Sequence, residues 1–149
     1  MAPSESTEHL KTILVPVDGS HSSMQAVALA GDIARKNKGS VFVVHVIEVD
    51  RSLPLTAEIE SAEKAGDEIL ANAEQVARDQ GFNVEGAILH AREASPAIVD
   101  EAIERSVDLI IMGTDYTQPF GEFQLGSVVQ YVLKSAPCEV WLCRHEVEE

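Results

Sequence analysis

Asp18 is the carboxylate best placed for chemistry. It closes a short apolar segment, residues 11–17, and is followed by Gly19-Ser20. An acid at the end of a buried strand suits a phosphoryl-accepting nucleophile, yet a haloacid-dehalogenase-type site needs another aspartate two positions earlier, and that position holds Pro16. A phosphorylatable receiver site needs several acids around the first strand end and a lysine late in the chain. Asp18 stands alone there, and Lys134 falls inside a helical pattern. No G-x-x-x-x-G-K-[ST] loop is present to bring a lysine onto β- and γ-phosphates. None of these three transfer schemes is complete.

A second constellation lies late in the chain. The apolar run Leu109, Ile110, Ile111, Met112 ends at Gly113, twelve irregular residues follow, and Gly126-Ser127 opens a pattern of helical period through Val128, Val129, Val132 and Leu133. Gly113 is expected to let backbone approach a ligand closely. Gly126 and Ser127 place a small residue and a hydroxyl where the first N–H groups of a helix lack partners, which makes an anion site. The long 114–125 connection reads as functional for its length. Of the histidines, His45 and His90 fall in strand segments, where packing or hydrogen bonding is the ordinary role. His21 lies near the proposed anion site, without a nucleophile beside it. Ser20, Ser22 and Ser23 read as turn and cap residues, and Arg92 follows a strand where it could reach a ligand or stay solvated. No catalytic residue and no metal site is assigned.

The composition narrows the partners. Eleven Lys and Arg against 25 Asp and Glu give a net charge of −14, so there is no positive excess to displace counterions from nucleic acid or an anionic membrane. The apolar runs are far short of the roughly 20 residues of a membrane helix, and residues 1–10 are polar and acidic rather than signal-like. A cytoplasmic chain is expected. Cys138 and Cys143 in one extended strand would lie about 16 Å apart, beyond the reach of a bridge, so two reduced thiols are expected.

The elements that must hold these groups alternate. Residues 11–17 read as a buried strand. A helix capped by Ser22 or Ser23 runs through Met24, Val27, Ala30 and Ile33 to a stop at Gly39. Residues 41–49 are continuously apolar and β-branched, hence a strand covered on both faces. A long amphipathic helix carries Leu55, Ile59, Ala62, Ile69, Ala73 and Val76 and ends at Gly81. Strands at 83–91, 107–112 and 138–143 and helices from Ser95-Pro96 and Gly126 complete the pattern. Five strands alternating with four helices give one α/β domain over residues 11–144: an open five-stranded parallel sheet with helices on both faces. A flexible lead (1–10) and a polar tail (145–149) flank it. If the ends of strands one and four adjoin, the order is 3-2-1-4-5 and they form the ligand crevice where the winding reverses.

In register along residues 11–144 the chain resembles a universal stress protein domain. The resemblance is carried by I-L-V-P-V-D-G-S, H-V-I-E, S-P-A-I-V, D-L-I-I-M-G and G-S-V-V-Q-Y-V-L-K-S-A-P-C-E-V. It implies an adenine nucleotide alpha hydrolase-like fold. Nucleotide-binding members carry G-x-x-G, nine residues, then G and S or T. Gly113, Gly126 and Ser127 match this spacing, and Tyr116 stands where the second glycine belongs. The resemblance implies ATP or another adenine nucleotide, with Mg²⁺ offsetting its phosphates. Pro16, Val17 and Asp18 would flank adenine and ribose, and Val46 would line the base pocket. Met112, Gly113, Gly126, Ser127 and Val128 would hold ribose and phosphates, with Tyr116 either a lid over the ligand or a plug in its place.

The resemblance further implies a homodimer through the fifth strand, where Val140, Trp141 and Leu142 lie on a sheet edge that needs cover. The expected output is regulatory, a protein partner reading the 114–125 loop, with any ATP hydrolysis slow for want of a placed base or arginine. The alternative is a nucleotide-free dimerisation and docking module that regulates a partner such as a transporter.

Overall fold

The computed structural model describes residues 7–116 and 127–146. The elements are β1 (Thr12–Pro16), α1 (His21–Asn37), β2 (Ser40–Glu48), α2 (Glu60–Asp79), β3 (Glu85–Ala91), α3 (Ala94–Glu104), β4 (Leu109–Tyr116), α4 (Ser127–Ser135) and β5 (Glu139–Glu146). The strands form one parallel sheet in the order β3-β2-β1-β4-β5, as the alternation of elements predicts.

The period-2 alternation of each strand sorts its side chains onto two cores. Ile13, Val15, Val43, Leu109 and Ile111 face α1 and α2. Leu14, Val44, Ile110 and Met112 face α3 and α4, where Ile98, Val99, Val129 and Val132 meet them. Burying each such aliphatic side chain contributes about 1.5–3 kcal/mol, which is why a continuous apolar run ends up sandwiched between helices.

Several boundaries differ from the sequence reading. β4 does not stop at Met112 but continues through Gly113 to Tyr116, because β5 also runs on and pairs Gly113 with Cys143 and Tyr116 with Glu146. The connection to α4 therefore begins after Tyr116. α1 starts at His21, two or three residues earlier than a Ser22 or Ser23 cap implies. Its cap is Ser20, whose hydroxyl accepts from the Ser23 amide at 3.2 Å. α2 starts only at Glu60, so Leu55 lies in the preceding connection and is exposed. The packed chain reaches back before Lys11: Leu10 is fully buried, and the Asn37 side-chain amide donates to the carbonyls of Thr7 and Leu10. Cys138 and Cys143 are free thiols, both raised above the ordinary thiol range by burial, with Asp108 and Glu139 adding to the effect at Cys138.

Arg92 is engaged by backbone carbonyls. Its Nη1 donates to the carbonyls of Asp50 (2.6 Å), Leu53 (2.7 Å) and Val49 (3.3 Å), pinning the β2–α2 connection to the end of β3. Arg92→Ala is expected to release that connection and to lower stability by about 1–2 kcal/mol, the scale of lost charge-assisted hydrogen bonds. Limited trypsin digestion checks it: cleavage after Arg51 should accelerate in the variant.

Candidate functional site

The carboxyl ends of β1 and β4 adjoin at the reversal of winding, where the sheet opens. A cavity of about 430 Å³ lies there, within the range of small-molecule sites. β1 and its exit supply Pro16, Val17 and Asp18, and β2 supplies Val44, His45 and Val46. β4 supplies Met112, Gly113 and Thr114; Ala94 and Ile98 come from α3, and Ser127, Val128 and Val129 from α4. Ser20, Ser22 and Ser23 close it from the start of α1. Val44, Ile98, Met112 and Val129 give it an apolar floor that is continuous with the α3/α4 core.

Eight expected site residues, Pro16, Val17, Asp18, Val46, Met112, Gly113, Ser127 and Val128, are thus brought together. Tyr116 is placed by its backbone in β4, while the orientation of its ring and the position of Gly126 lie outside what is described. The sequence reading did not include Ser22, Ala94, Ile98 or Thr114. The signal for Ala94 and Ile98 was the helix start around Ser95-Pro96, which topology alone carries to the crevice.

Gly113 has a packing role besides the one expected. A Cβ on it would overlap the Ser22 carbonyl and stand 2.9 Å from the Ser23 nitrogen. Its missing side chain lets the first turn of α1 sit against β4, so the glycine also shapes the crevice wall.

Three helix starts open on this crevice, and their polarity decides where negative charge belongs. At α1 the Ser20 amide donates to Asp18 Oδ1 at 2.9 Å, and Ser20 caps the helix. At α3 the Ala94 amide donates to Glu48 Oε2 at 2.8 Å, so a carboxylate from the end of β2 already occupies that terminus. α4 begins at Ser127, which is exposed, and has no acidic residue in its first turn. Among the described residues, two of the three positive ends are thus answered by the chain's own acids.

The Asp18 carboxyl turns back on the helix start although the residue as a whole is exposed. Partial burial pushes its pKa upward, but hydrogen bonds from the Ser20 hydroxyl and amide, the Ser23 hydroxyl and its own amide outweigh this and hold it below 3.8. A depressed folded-state pKa contributes stability that is present above the unfolded value and lost as pH falls through the folded one. The stability advantage of the wild type over Asp18→Asn is therefore expected to be full above about pH 5 and to shrink below about pH 4, which urea titrations across that range would measure.

His21 is exposed on α1 with its Nε2 2.7 Å from Gln25 Nε2, and His90 pairs with Glu63. Neither borders the cavity. Among the described residues no group of three or more His, Cys, Asp or Glu is arranged to hold a metal ion, and no helix is long and apolar enough to cross a membrane.

A doubly wound α/β domain with a cavity at the topological switch point is the class this fold and crevice define. Within it, the universal stress protein family matches residues 9–144, and the chain belongs to that family. A universal stress protein of Thermus aquaticus is 35% identical over 142 residues, which cover 90% of this chain and 98% of that one. The universal stress protein of Archaeoglobus fulgidus, solved in complex with dAMP, has the same fold with a TM-score of 0.71 at 23% identity, covering 90% of this chain and 97% of that one. A universal stress protein solved in complex with cAMP superposes with a TM-score of 0.66 at 23% identity, covering 89% and 95%.

Proposed function

We propose that this chain is a cytoplasmic regulatory protein that binds an adenine nucleotide in the crevice between β1 and β4. The observation that carries the reading is electrostatic: Asp18 and Glu48 already answer the starts of α1 and α3, whereas among the described residues no acid answers the start of α4, a terminus suited to an anion. An apolar slot beside it, floored by Val44, Ile98 and Met112, suits a purine ring. Pro16, Val17 and Val46 would border the base and Met112 and Gly113 the ribose. Ser127 and Val128 would hold the phosphates, with Gly126 and Tyr116 contributing from the adjoining segment. The same crevice chemistry fits what the dAMP and cAMP complexes of the two family members hold. With no group of three or more metal-ligating side chains among the described residues, Mg²⁺ would arrive on the phosphates of ATP or ADP. Occupancy would then be read by a partner protein at the segment joining β4 to α4.

The outer edge of β5 supports a homodimer reading. Among the described residues β5 pairs with β4 alone, and Val140, Trp141 and Leu142 are partly buried against the chain's own two cores. What the edge offers a second copy is therefore mainly its backbone, in antiparallel pairing. Sedimentation at falling concentration should give a dimer that dissociates; a monomer at every concentration sinks this part.

The nucleotide reading is tested by mass spectrometry of protein denatured straight from cells and by thermal melting with adenosine, AMP, ADP, ATP and cyclic AMP, with and without Mg²⁺. A co-purified adenine nucleotide, or melting raised by the phosphorylated compounds well above adenosine, is the expected result. No shift at millimolar ligand would remove the proposal.

A further inference from the structure

β3 is one outer edge of the sheet, paired among the described residues with β2 alone. The Val49 amide donates to the Ala91 carbonyl at 2.8 Å, so Ala91 turns its backbone toward β2, and by the two-residue period Leu89, Ala87 and Glu85 do the same. Gly86, Ile88 and His90 therefore turn their amides and carbonyls outward, and among the described residues no backbone group meets them. The strand, E-G-A-I-L-H-A, has neither the lysine nor the proline that commonly blunts an exposed edge.

A groove of about 520 Å³ runs beside this edge, between residues 88–92 and one stripe of α3 that carries Pro96, Ala97, Asp100, Glu101 and Glu104. Its cation is committed, since Arg92 donates to three backbone carbonyls, and Glu101 is paired with Arg105. Glu93, Asp100 and Glu104 also border it; all three are exposed, and among the described residues no ion pair engages them. On the α2 side Glu74 Oε2 lies 3.8 Å from the place of a Cβ on Gly86, so carboxylates flank the edge on both faces of the sheet. Asp100 and Glu104 are one turn apart, about 6 Å along the helix, close to the roughly 6.7 Å between alternate residues of a strand.

We propose that the outer edge of β3 takes up an extended, cationic segment of a partner protein as an added strand, with basic side chains at alternate positions over Asp100 and Glu104. The backbone of Gly86, Ile88 and His90 supplies the pairing, and the flanking carboxylates select the occupant. A second copy of this chain, with its net charge of −14, would bring the same acids to the same edge and be repelled. The chain's own residues 1–6, 117–126 and 147–149 contain no Lys or Arg and lack the matching charge. The groove shares no lining residue with the crevice between β1 and β4, so the proposal does not depend on what that crevice binds.

The probe is a blocked peptide of about eight residues alternating lysine and valine, long enough to span the strand. Titrated into the full chain at low ionic strength, it should bind saturably, and the same peptide with glutamate for lysine should not. Amide hydrogen exchange of the complex should show Gly86, Ile88 and His90 slowed at least about tenfold, with Ala87 and Leu89, already bonded to β2, unchanged. Asp100→Lys with Glu104→Lys should weaken binding at least about tenfold. Glu8→Lys with Asp32→Lys, the same change in net charge at residues that do not border the groove, should weaken it less than about threefold. Melting curves confirm that each variant is folded, and Asp100→Asn with Glu104→Gln replaces the lysine pair if it is not, with the same expected direction. A peptide N-methylated at alternate residues keeps its charge but cannot pair, and it should not bind. Absence of binding by the lysine peptide overturns the proposal. So does equal binding by the N-methylated peptide, equal loss in the two charge-reversed variants, or protection that does not alternate along β3.

Discussion

Alanine at position 113 is expected to lower stability by about 3 kcal/mol and the melting temperature by roughly 10 °C, a large effect for one methyl group. The added carbon would overlap the Ser22 carbonyl and approach the Ser23 nitrogen to 2.9 Å, and both are backbone atoms of the first turn of α1. A flexible side chain could rotate away; a helix start capped by Ser20 and packed on β4 has to move as a unit. That movement would also displace Ser20, Ser22 and Ser23 from the crevice wall, so nucleotide affinity should fall together with stability. Gly86→Ala is the control, since there the nearest atom is a Leu70 methyl at 3.5 Å, an ordinary contact. It should change stability by no more than about 0.5 kcal/mol or raise it, because alanine restricts the unfolded chain. Chemical denaturation of both variants measures the difference, and equal midpoints for Gly113→Ala and wild type would refute the packing role.

The second large effect is expected at the start of α4. Ser127→Glu puts a carboxylate where the phosphates are placed, removing charge-assisted hydrogen bonds and adding repulsion. A loss of about 2–3 kcal/mol, or roughly 30- to 150-fold in affinity, should follow for AMP and ATP. Adenosine, which has no phosphate, should lose less than about threefold. Stability should hold or rise by a few tenths of a kcal/mol, because an acid in the first turn suits the helix polarity. This combination, tight coupling to phosphate and none to folding, distinguishes a phosphate site from a merely structural serine. Equal losses for adenosine and AMP would move the phosphates elsewhere in the crevice.

The sheet order and most of the crevice were legible because they follow from short-range pattern and topology. The apolar runs at Ile13–Val15 and Leu109–Met112 announce buried strands, and parallel crossovers leave few orders in which Asp18 and Gly113 could lie far apart. What could not be read was set by partners distant in sequence. Gly113-Thr114-Asp115 looks like the end of a strand, and it stays in the ladder only because Cys143, Arg144 and His145 run beside it. Gly113 was visible as a glycine, yet the backbone that fills the place of its Cβ belongs to α1. Ser20, Ser22 and Ser23 all have cap chemistry, and the path of the chain out of β1 chooses Ser20. Arg92 could by its position reach a ligand or stay solvated, whereas the carbonyls of Val49, Asp50 and Leu53 converge on it only once β2 and β3 are paired. His45 was recognisable as a strand histidine; that its ring donates to the Val17 carbonyl is a matter of one side-chain orientation.

Calorimetric titration of the purified wild-type chain, freed of any co-purified ligand, with AMP, ADP, ATP and cyclic AMP tests the central claim most directly, with GTP as the contrasting base. Saturable heat at one site per chain for at least one adenine nucleotide, weaker or absent with GTP and abolished by Ser127→Glu, is the predicted result. Absence of heat with every adenine nucleotide at millimolar concentration, from protein whose melting curve shows it folded, would contradict it.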